Sequence, residues 1–180
     1  MKTLLIVYHS MTGGTRQMAE AAAAAARDEA AADATAATPA APAAAPPTLQ
    51  VRLLRADQAG PAHLLAADGY LFATPENLAA IAGVMKDFFD RCYYPALDRL
   101  NGRPYAAMVC AGSDGHNAAR QLQRIATGWR LVEVAPPLIV CTHAQTPEAI
   151  LTPKQIADPE LRRCAELGAA LAAGLALGVF

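Results

Sequence analysis

A short polar loop near the N-terminus carries the residues best suited to binding chemistry. Ser10, Thr12 and Thr15 supply three hydroxyl groups, and Gly13 and Gly14 allow the backbone to close around an anion. An apolar run precedes the loop and an alanine-rich helical segment follows it, so the free N–H groups of a helix N-terminus would face the same point. The lysine of a nucleoside triphosphate loop and the G-x-G-x-x-G spacing of a dinucleotide loop are both missing. Neutral donors in this arrangement suit a single terminal phosphate.

Strands and helices alternate along the chain in an order that would position this loop at a sheet edge. Apolar or alternating runs predict strands over residues 4–8, 49–54, 70–73 and 105–110, and an interrupted strand over 131–134 and 138–141. Helices are predicted over residues 15–32, 61–67, 84–100, 118–127 and 159–177. The alternation predicts an α/β, flavodoxin-like three-layer sandwich with five parallel strands in the order 2-1-3-4-5. Ligands of such sheets bind beyond the carboxyl ends of the strands, which brings together three loops at residues 9–15, 74–83 and 111–117.

Composition and charge exclude several classes of function. Of the 180 residues, 15 are basic and 16 are acidic, so no basic surface for a nucleic-acid backbone is expected. The same balance disfavours an electron carrier that docks by charge. The four cysteines have neither zinc spacing nor a C-x-x-C pair, so we expect reduced thiols and no metal site. We find no pattern of a secretion signal or membrane span and expect a cytoplasmic protein without membrane partners.

One segment breaks the alternation. Residues 33–48 are a run of alanine, threonine, aspartate and proline with little apolar surface to bury. Such low-complexity composition predicts an exposed insertion between the first helix and the second strand. We therefore expect one flavodoxin-like domain over residues 1–180 that carries this insertion.

Two motifs resemble those of a known family. Residues 6–19, with the sequence IVYHSMTGGTRQMA, resemble the flavodoxin phosphate-loop signature, with Ala22 in place of its later aliphatic residue. Thr74 and Pro75, followed by a loop and then the sequence MKDFFDR at residues 85–91, are similar to the flavodoxin-like NAD(P)H-dependent FMN and quinone reductases. The resemblance runs to about residue 140, broken by the insertion. It implies an FMN-binding oxidoreductase that takes hydride from NAD(P)H and reduces a quinone or similar small acceptor.

The resemblance also implies which residues hold the cofactor. The phosphate would lie against the first loop, at Ser10, Met11, Thr12, Gly13, Gly14 and Thr15. The flavin ring would lie against two further loops, at Thr74, Pro75, Glu76, Asn77 and Leu78, and at Gly112, Ser113, Asp114 and Gly115. His116 is the candidate catalytic residue, as a proton donor to a reduced quinone at the pocket mouth, unless it is an exposed loop histidine. Asp114 is an alternative N-cap for the following helix.

Three positions depart from the reductase pattern. Leu78 stands where an aromatic residue is common, Ala79 where glycine is usual, and Ala82 where a small polar residue is usual. If that glycine adopts a positive φ, alanine in its place costs about 1 kcal/mol. Three hypotheses therefore remain: a reductase, a flavodoxin-type carrier that reduces a partner protein, and a flavodoxin-like module that has lost FMN. The family often forms homodimers or homotetramers. The sequence fixes neither the identity of the acceptor nor the choice between NADH and NADPH as the electron donor.

Overall fold

A computed structural model gives the backbone of residues 1–36 and 49–180 and the side chains of residues 1–32 and 49–180. The strands of this part of the chain are β1 (Lys2–Tyr8), β2 (Leu49–Arg55), β3 (Gly69–Asn77), β4 (Ala80–Ile81), β5 (Pro104–Ala111), β6 (Val132–Glu133) and β7 (Leu138–Cys141). Its helices are α1 (Gly14–Ala36), α2 (Pro61–Ala66), α3 (Gly83–Ala96), α4 (His116–Gly128), α5 (Pro147–Leu151) and α6 (Asp158–Leu177). Residues 37–48 of the predicted insertion lie outside the described residues.

The long strands form one parallel sheet that confirms the predicted topology. The order is β2-β1-β3-β5, and the fifth position is shared by β6 and β7, which both pair in parallel with β5. Strand β1 lies between β2 and β3, with Leu4 opposite Val51 on one side and Gly69 on the other. The strand order therefore reverses at β1 and β3, which is where such sheets bind their ligands.

The sheet has one short strand that the sequence did not predict. Strand β3 continues past the parallel sheet and turns back into β4, with Glu76 opposite Ile81 and Asn77 opposite Ala80 in an antiparallel pair. A strand of two residues is too short for alternation to reveal it. This β3–β4 hairpin projects from the carboxyl edge of the sheet.

Two apolar layers hold the helices against the sheet. On one face Phe72 packs against Phe89 with ring centroids 5.1 Å apart, and Phe89 packs against Trp129 at 5.2 Å. On the other face α1 lies against α6 so closely that a side chain on Gly168 would overlap the backbone of Ala22. Helices α1 and α6 are therefore in close backbone contact at Ala22, the position where the signature has an aliphatic residue.

Two helix boundaries differ from the sequence prediction. Helix α1 continues to Ala36, beyond the predicted end at residue 32, because residues 33–36 contain neither glycine nor proline and two of the four are alanine. Helix α3 ends at Ala96 rather than at residue 100. Pro95 occupies its last turn, and Asp98 has a φ of 55°, which no helix can include.

The start of α4 corrects the predicted cap. The helix begins at His116, and its N-cap is Gly115 with a φ of 84°. A Cβ on Gly115 would stand 2.6 Å from the Ile139 side chain, so both conformation and packing require glycine there. The prediction of Asp114 as the N-cap is therefore wrong. None of the helices described is long and apolar enough to cross a bilayer.

Candidate functional site

A cavity of about 430 Å³ lies at the carboxyl edge of the sheet, beside the strands where the order reverses. Its size is in the range of small-molecule sites. Four segments of the chain line it, within residues 10–15, 75–79, 110–113 and 142–154. Three of these overlap the predicted loops, and the fourth was not predicted.

The first loop is arranged to receive an anion. The Ser10 hydroxyl accepts a hydrogen bond from the N–H of Gly13 at 3.1 Å, and Gly13 has a φ of 90° that closes the loop. The N–H of Gln17 donates to the Gly13 carbonyl at 3.1 Å, so the N–H groups of Gly14 and Thr15 precede the hydrogen-bond ladder of α1. The Thr15 hydroxyl oxygen is buried without a hydrogen-bond partner. An orphaned hydroxyl of this kind is expected where a bound group supplies the missing partner.

Gly14 is fixed by close packing. A Cβ at this position would stand 2.7 Å from Cys110 Sγ and 3.3 Å from Lys154 Cβ, so any larger residue would push the cavity walls apart. The Cys110 thiol also lines the cavity, beside Thr15. Burial raises the pKa of the Cys110 thiol above its ordinary value, which leaves it a protonated wall group rather than a nucleophile.

The fourth segment is tied to the phosphate loop by side chains distant in sequence. The Gln17 side-chain amide donates to the Lys154 carbonyl at 2.7 Å and accepts from the Ile156 N–H at 3.1 Å. The Lys154 N–H donates to the Thr12 carbonyl at 2.7 Å. Lys154 Nζ donates to the carbonyls of Ala149 at 2.7 Å and of Ile150 at 2.9 Å. Lys154 therefore brings a positive charge to the cavity wall and caps the end of α5.

The second loop is the β3–β4 hairpin, whose turn has unusual backbone geometry. Leu78 and Ala79 occupy its two central positions with φ values of 51° and 59°. Two successive positive φ values are typical of a type I′ turn, which favours glycine or asparagine. Ala79 therefore has the positive φ at which alanine, in place of the glycine of the reductase pattern, carries a conformational cost.

Helix α4 and its preceding loop hold this hairpin in place. The Asn117 side-chain amide donates to the Ala79 carbonyl at 2.5 Å, and Gln121 Oε1 accepts from the Ile81 N–H at 2.9 Å. Glu76 Oε2 accepts from the N–H of Gly115 at 3.0 Å, whereas Glu76 Oε1 is buried without a partner. The hairpin and the third loop are therefore joined before any ligand binds.

The structure brings most of the predicted site residues together. Those that line the cavity are Ser10, Met11, Thr12, Gly14, Thr15, Pro75, Glu76, Asn77, Leu78, Gly112 and Ser113. Those that do not line it are Gly13, Thr74, Asp114, Gly115 and His116. The Thr74 hydroxyl is fully buried and accepts from the Ala82 N–H at 3.1 Å, so it shapes the hairpin instead. His116 is exposed in the first turn of α4, and its catalytic role stays a prediction.

Sequence reasoning missed a group of residues that line the cavity, namely Ala79, Cys110, Ala111, Thr142, Ala144, Ile150, Leu151 and Lys154. Ala79 and Ala111 lie within the predicted loops but were not among the named site residues, and Cys110 directly precedes the third loop. The other five lie in the fourth segment, which has no periodicity or motif. Its role follows from tertiary hydrogen bonds that no local pattern encodes.

His9 lies beside the first loop in an unusual environment. It is only 7% exposed, and its Nδ1 atom has no hydrogen-bond partner. Burial is the main cause that lowers the pKa of His9, the Arg55 cation lowers it further, and Asp57 opposes both. The ring is therefore neutral near pH 7.

Comparison with known proteins identifies the family. The model of a family described as NADPH-dependent FMN reductase matches residues 1–146. The chain belongs to the NADPH-dependent FMN reductase family. This FMN reductase family member is thus an FMN-binding oxidoreductase of flavodoxin-like fold, as its phosphate loop predicts. None of the curated proteins matches the sequence.

Solved structures support the same fold. A flavodoxin, WrbA-like protein from Agrobacterium tumefaciens superposes with a TM-score of 0.68 at 18% identity, covering 99% of both chains. The flavodoxin of Streptococcus pneumoniae TIGR4 gives a TM-score of 0.68 at 19% identity, covering 95% of this chain and 98% of its own. The flavodiiron protein from Giardia intestinalis gives 0.71 at 14% identity, covering 99% of this chain but 37% of its own. These superpositions establish the shared fold.

The cavity of the reductase family member fits FMN. The orphaned Thr15 hydroxyl and the N–H groups ahead of α1 suit the terminal phosphate. The hairpin offers its backbone and the orphaned Glu76 Oε1 to a polar ring edge. The mouth is apolar, because three large apolar side chains line it and lie open to solvent: Met11 is 77% exposed, Leu78 is 102% exposed and Leu151 is 76% exposed.

Proposed function

We propose that the protein takes hydride from NAD(P)H onto FMN and delivers the electrons to a quinone or a similar flat, apolar acceptor. Bound FMN supplies the redox chemistry, because its ring accepts hydride and releases the electrons again. The protein's part is to hold the cofactor, leave its ring approachable and select the acceptor. The observation that carries the proposal is the apolar mouth of the cavity.

The mouth favours a small apolar acceptor over a protein that docks by charge. Among the described lining residues, Glu76 and Lys154 are the charged ones, and they have opposite signs. Met11, Leu78 and Leu151 present large apolar side chains to solvent around the opening. A flat apolar molecule that enters would cover this surface, whereas charge-guided docking needs a field of one sign.

Individual residues divide the work of binding. Thr15 and the N–H groups of Gly14 and Thr15 would hold the phosphate, with Ser10 shaping their loop. The hairpin backbone at residues 75–79 and the small residues Gly112 and Ser113 would border the ring. His116 remains the proposed proton donor. If that role holds, His116→Gln lowers quinone turnover and leaves FMN affinity unchanged.

The experiment is a comparison of acceptors with a charged variant of the rim. The FMN-loaded protein is reduced with NADPH and offered a water-soluble benzoquinone or oxidised cytochrome c. We expect the quinone to reoxidise it faster. Leu78→Asp is expected to raise KM for the quinone several-fold, because a charge replaces apolar surface at the mouth. Leu177→Asp, at a leucine that is 73% exposed near the end of α6, is the matched control and should leave this KM unchanged.

The outcomes separate the hypotheses. A faster reaction with cytochrome c, unaffected by Leu78→Asp, would favour an electron carrier. Reduction of bound FMN by dithionite but not by NADPH or NADH would exclude the reductase. Failure of the purified protein to take up FMN would leave only a flavodoxin-like module without cofactor.

A further inference from the structure

A second cavity adjoins the first and is not explained by FMN. It has a volume of about 340 Å³ and shares Ser10, Met11, Thr12 and Leu151 with the first cavity. Its remaining walls include two cations, Arg16 and Arg55. The neutral donors of the phosphate loop suffice for one terminal phosphate, so the arginines are available for a different group.

The two arginines approach the cavity from neighbouring elements. Arg16 lies in the first turn of α1, and its Nη2 atom is 3.8 Å from the position that a Cβ on Gly13 would take. Arg55 ends β2, opposite Tyr8 at the end of β1 and so at the carboxyl edge of the sheet. Two guanidinium groups on one cavity provide the planar, multiple donors that phosphate oxygens prefer.

Neither arginine is committed to a strong internal partner. Arg16 Nε lies 3.8 Å from Glu20 Oε1, with the side chains 56% and 55% exposed. Arg55 Nε lies 3.2 Å from Asp57 Oδ1, with the side chains 41% and 51% exposed. Such exposed pairs contribute little to stability. The ion-pair contact of each arginine is made through its Nε atom to an exposed carboxylate, so an anion can engage the guanidinium groups without breaking a strong contact.

We propose that this second cavity binds a phosphate group other than the flavin phosphate, and that Arg16 and Arg55 are its ligands. A phosphate so placed has two chemical sources. One is the ribose 2′-phosphate of NADPH, a group that arginine commonly accommodates and that NADH lacks. The other is the adenylate half of a flavin dinucleotide. The first source rests on the proposed function, because it requires a nicotinamide dinucleotide to approach the flavin. In that case the two arginines determine the preference for NADPH over NADH.

Equilibrium binding with non-reacting probes tests the proposal. NADP⁺ and NAD⁺ are titrated into the FMN-loaded protein by calorimetry, and FMN and FAD into the flavin-free protein. We expect NADP⁺ to bind about tenfold or more tightly than NAD⁺, the usual effect of a charge-assisted contact. Arg16→Gln and Arg55→Gln should each reduce that preference, and added salt should weaken it. Arg162→Gln, at an exposed arginine of α6, is the control and should leave all affinities unchanged.

The two sources give different results. If the arginine variants lose affinity for FAD but not for FMN, and NADP⁺ and NAD⁺ bind alike, the phosphate is that of the adenylate. If neither the NADP⁺ to NAD⁺ ratio nor the FAD to FMN ratio changes in either variant, the proposal is overturned. Partial recovery of the preference in Arg16→Lys would show that charge, not folding, is measured.

Failure of the proposed function is visible separately. If FMN is not taken up, that function fails, whereas the dinucleotide titrations on the flavin-free protein still test the second cavity. If FMN is taken up and reduced by NADH and NADPH alike in all variants, with all binding ratios unchanged, only the inference fails.

Discussion

Replacing Ala79 with glycine should stabilise the protein, because the hairpin holds this alanine in a left-handed conformation. The φ of Ala79 is 59°, and this conformation costs a residue with a Cβ about 1–2 kcal/mol. Glycine removes that cost but adds about 0.4–1 kcal/mol of conformational entropy to the unfolded chain. The net expectation is a gain of about 0.5–1 kcal/mol in the free energy of unfolding, or roughly 2 °C in Tm.

Urea unfolding of the flavin-free protein measures this gain, with the same substitution elsewhere as its control. Ala24 is exposed on helix α1, and Ala24→Gly should lose about 1 kcal/mol because glycine disfavours helix. The two variants differ only in the backbone conformation at the site. If Ala79→Gly destabilises the protein as much as Ala24→Gly, the hairpin does not hold a left-handed residue and the argument fails.

Three further substitutions test the site itself. Thr15→Val removes a buried hydroxyl that lacks a partner. The free energy of unfolding of the flavin-free protein in urea should therefore rise by about 1 kcal/mol, while calorimetry finds FMN affinity about tenfold weaker. A variant that loses both stability and FMN affinity would contradict a phosphate-binding role. Glu76→Gln removes the carboxylate among the described lining residues. Because a negative charge near the ring disfavours its reduction, a potentiometric titration should find the midpoint potential of bound FMN raised by tens of mV. An unchanged potential would mean that the charge lies far from the ring. The pKa of His9 is lowered from 6.5, chiefly by burial, so the stability it contributes is complete above pH 6.5 and declines as the pH falls toward the folded-state pKa. His9→Gln should therefore make the urea midpoint depend less on pH between about pH 7 and pH 5. Parallel pH profiles of the midpoint for the two proteins would refute this.

The fold was predictable because its signals are local. Residues 2–36 contain a buried strand, a turn with positive φ at Gly13 and a long helix, each indicated by its own sequence. Repetition of that pattern is enough to predict a parallel sheet. The three predicted loops of the site follow from the same signals, since each comes directly after a strand.

The remainder of the site depends on contacts between distant residues. Lys154 reaches the cavity because Gln17 and Thr12 bond to its backbone, and no pattern around residue 154 indicates those partners. Asp114 was predicted as a helix cap by residue type, but the space beside Ile139 admits only glycine at position 115. Short strands, wall segments and caps set by packing are therefore where sequence reasoning ends.

The central claim is that this cavity binds FMN and lets NAD(P)H reduce it. The most direct measurement is the visible absorption spectrum of the purified protein with and without added FMN, followed by anaerobic addition of NADPH or NADH. We predict a bound flavin spectrum that bleaches on addition of the dinucleotide. A protein that stays colourless after incubation with FMN, or a bound flavin that only dithionite bleaches, would contradict it.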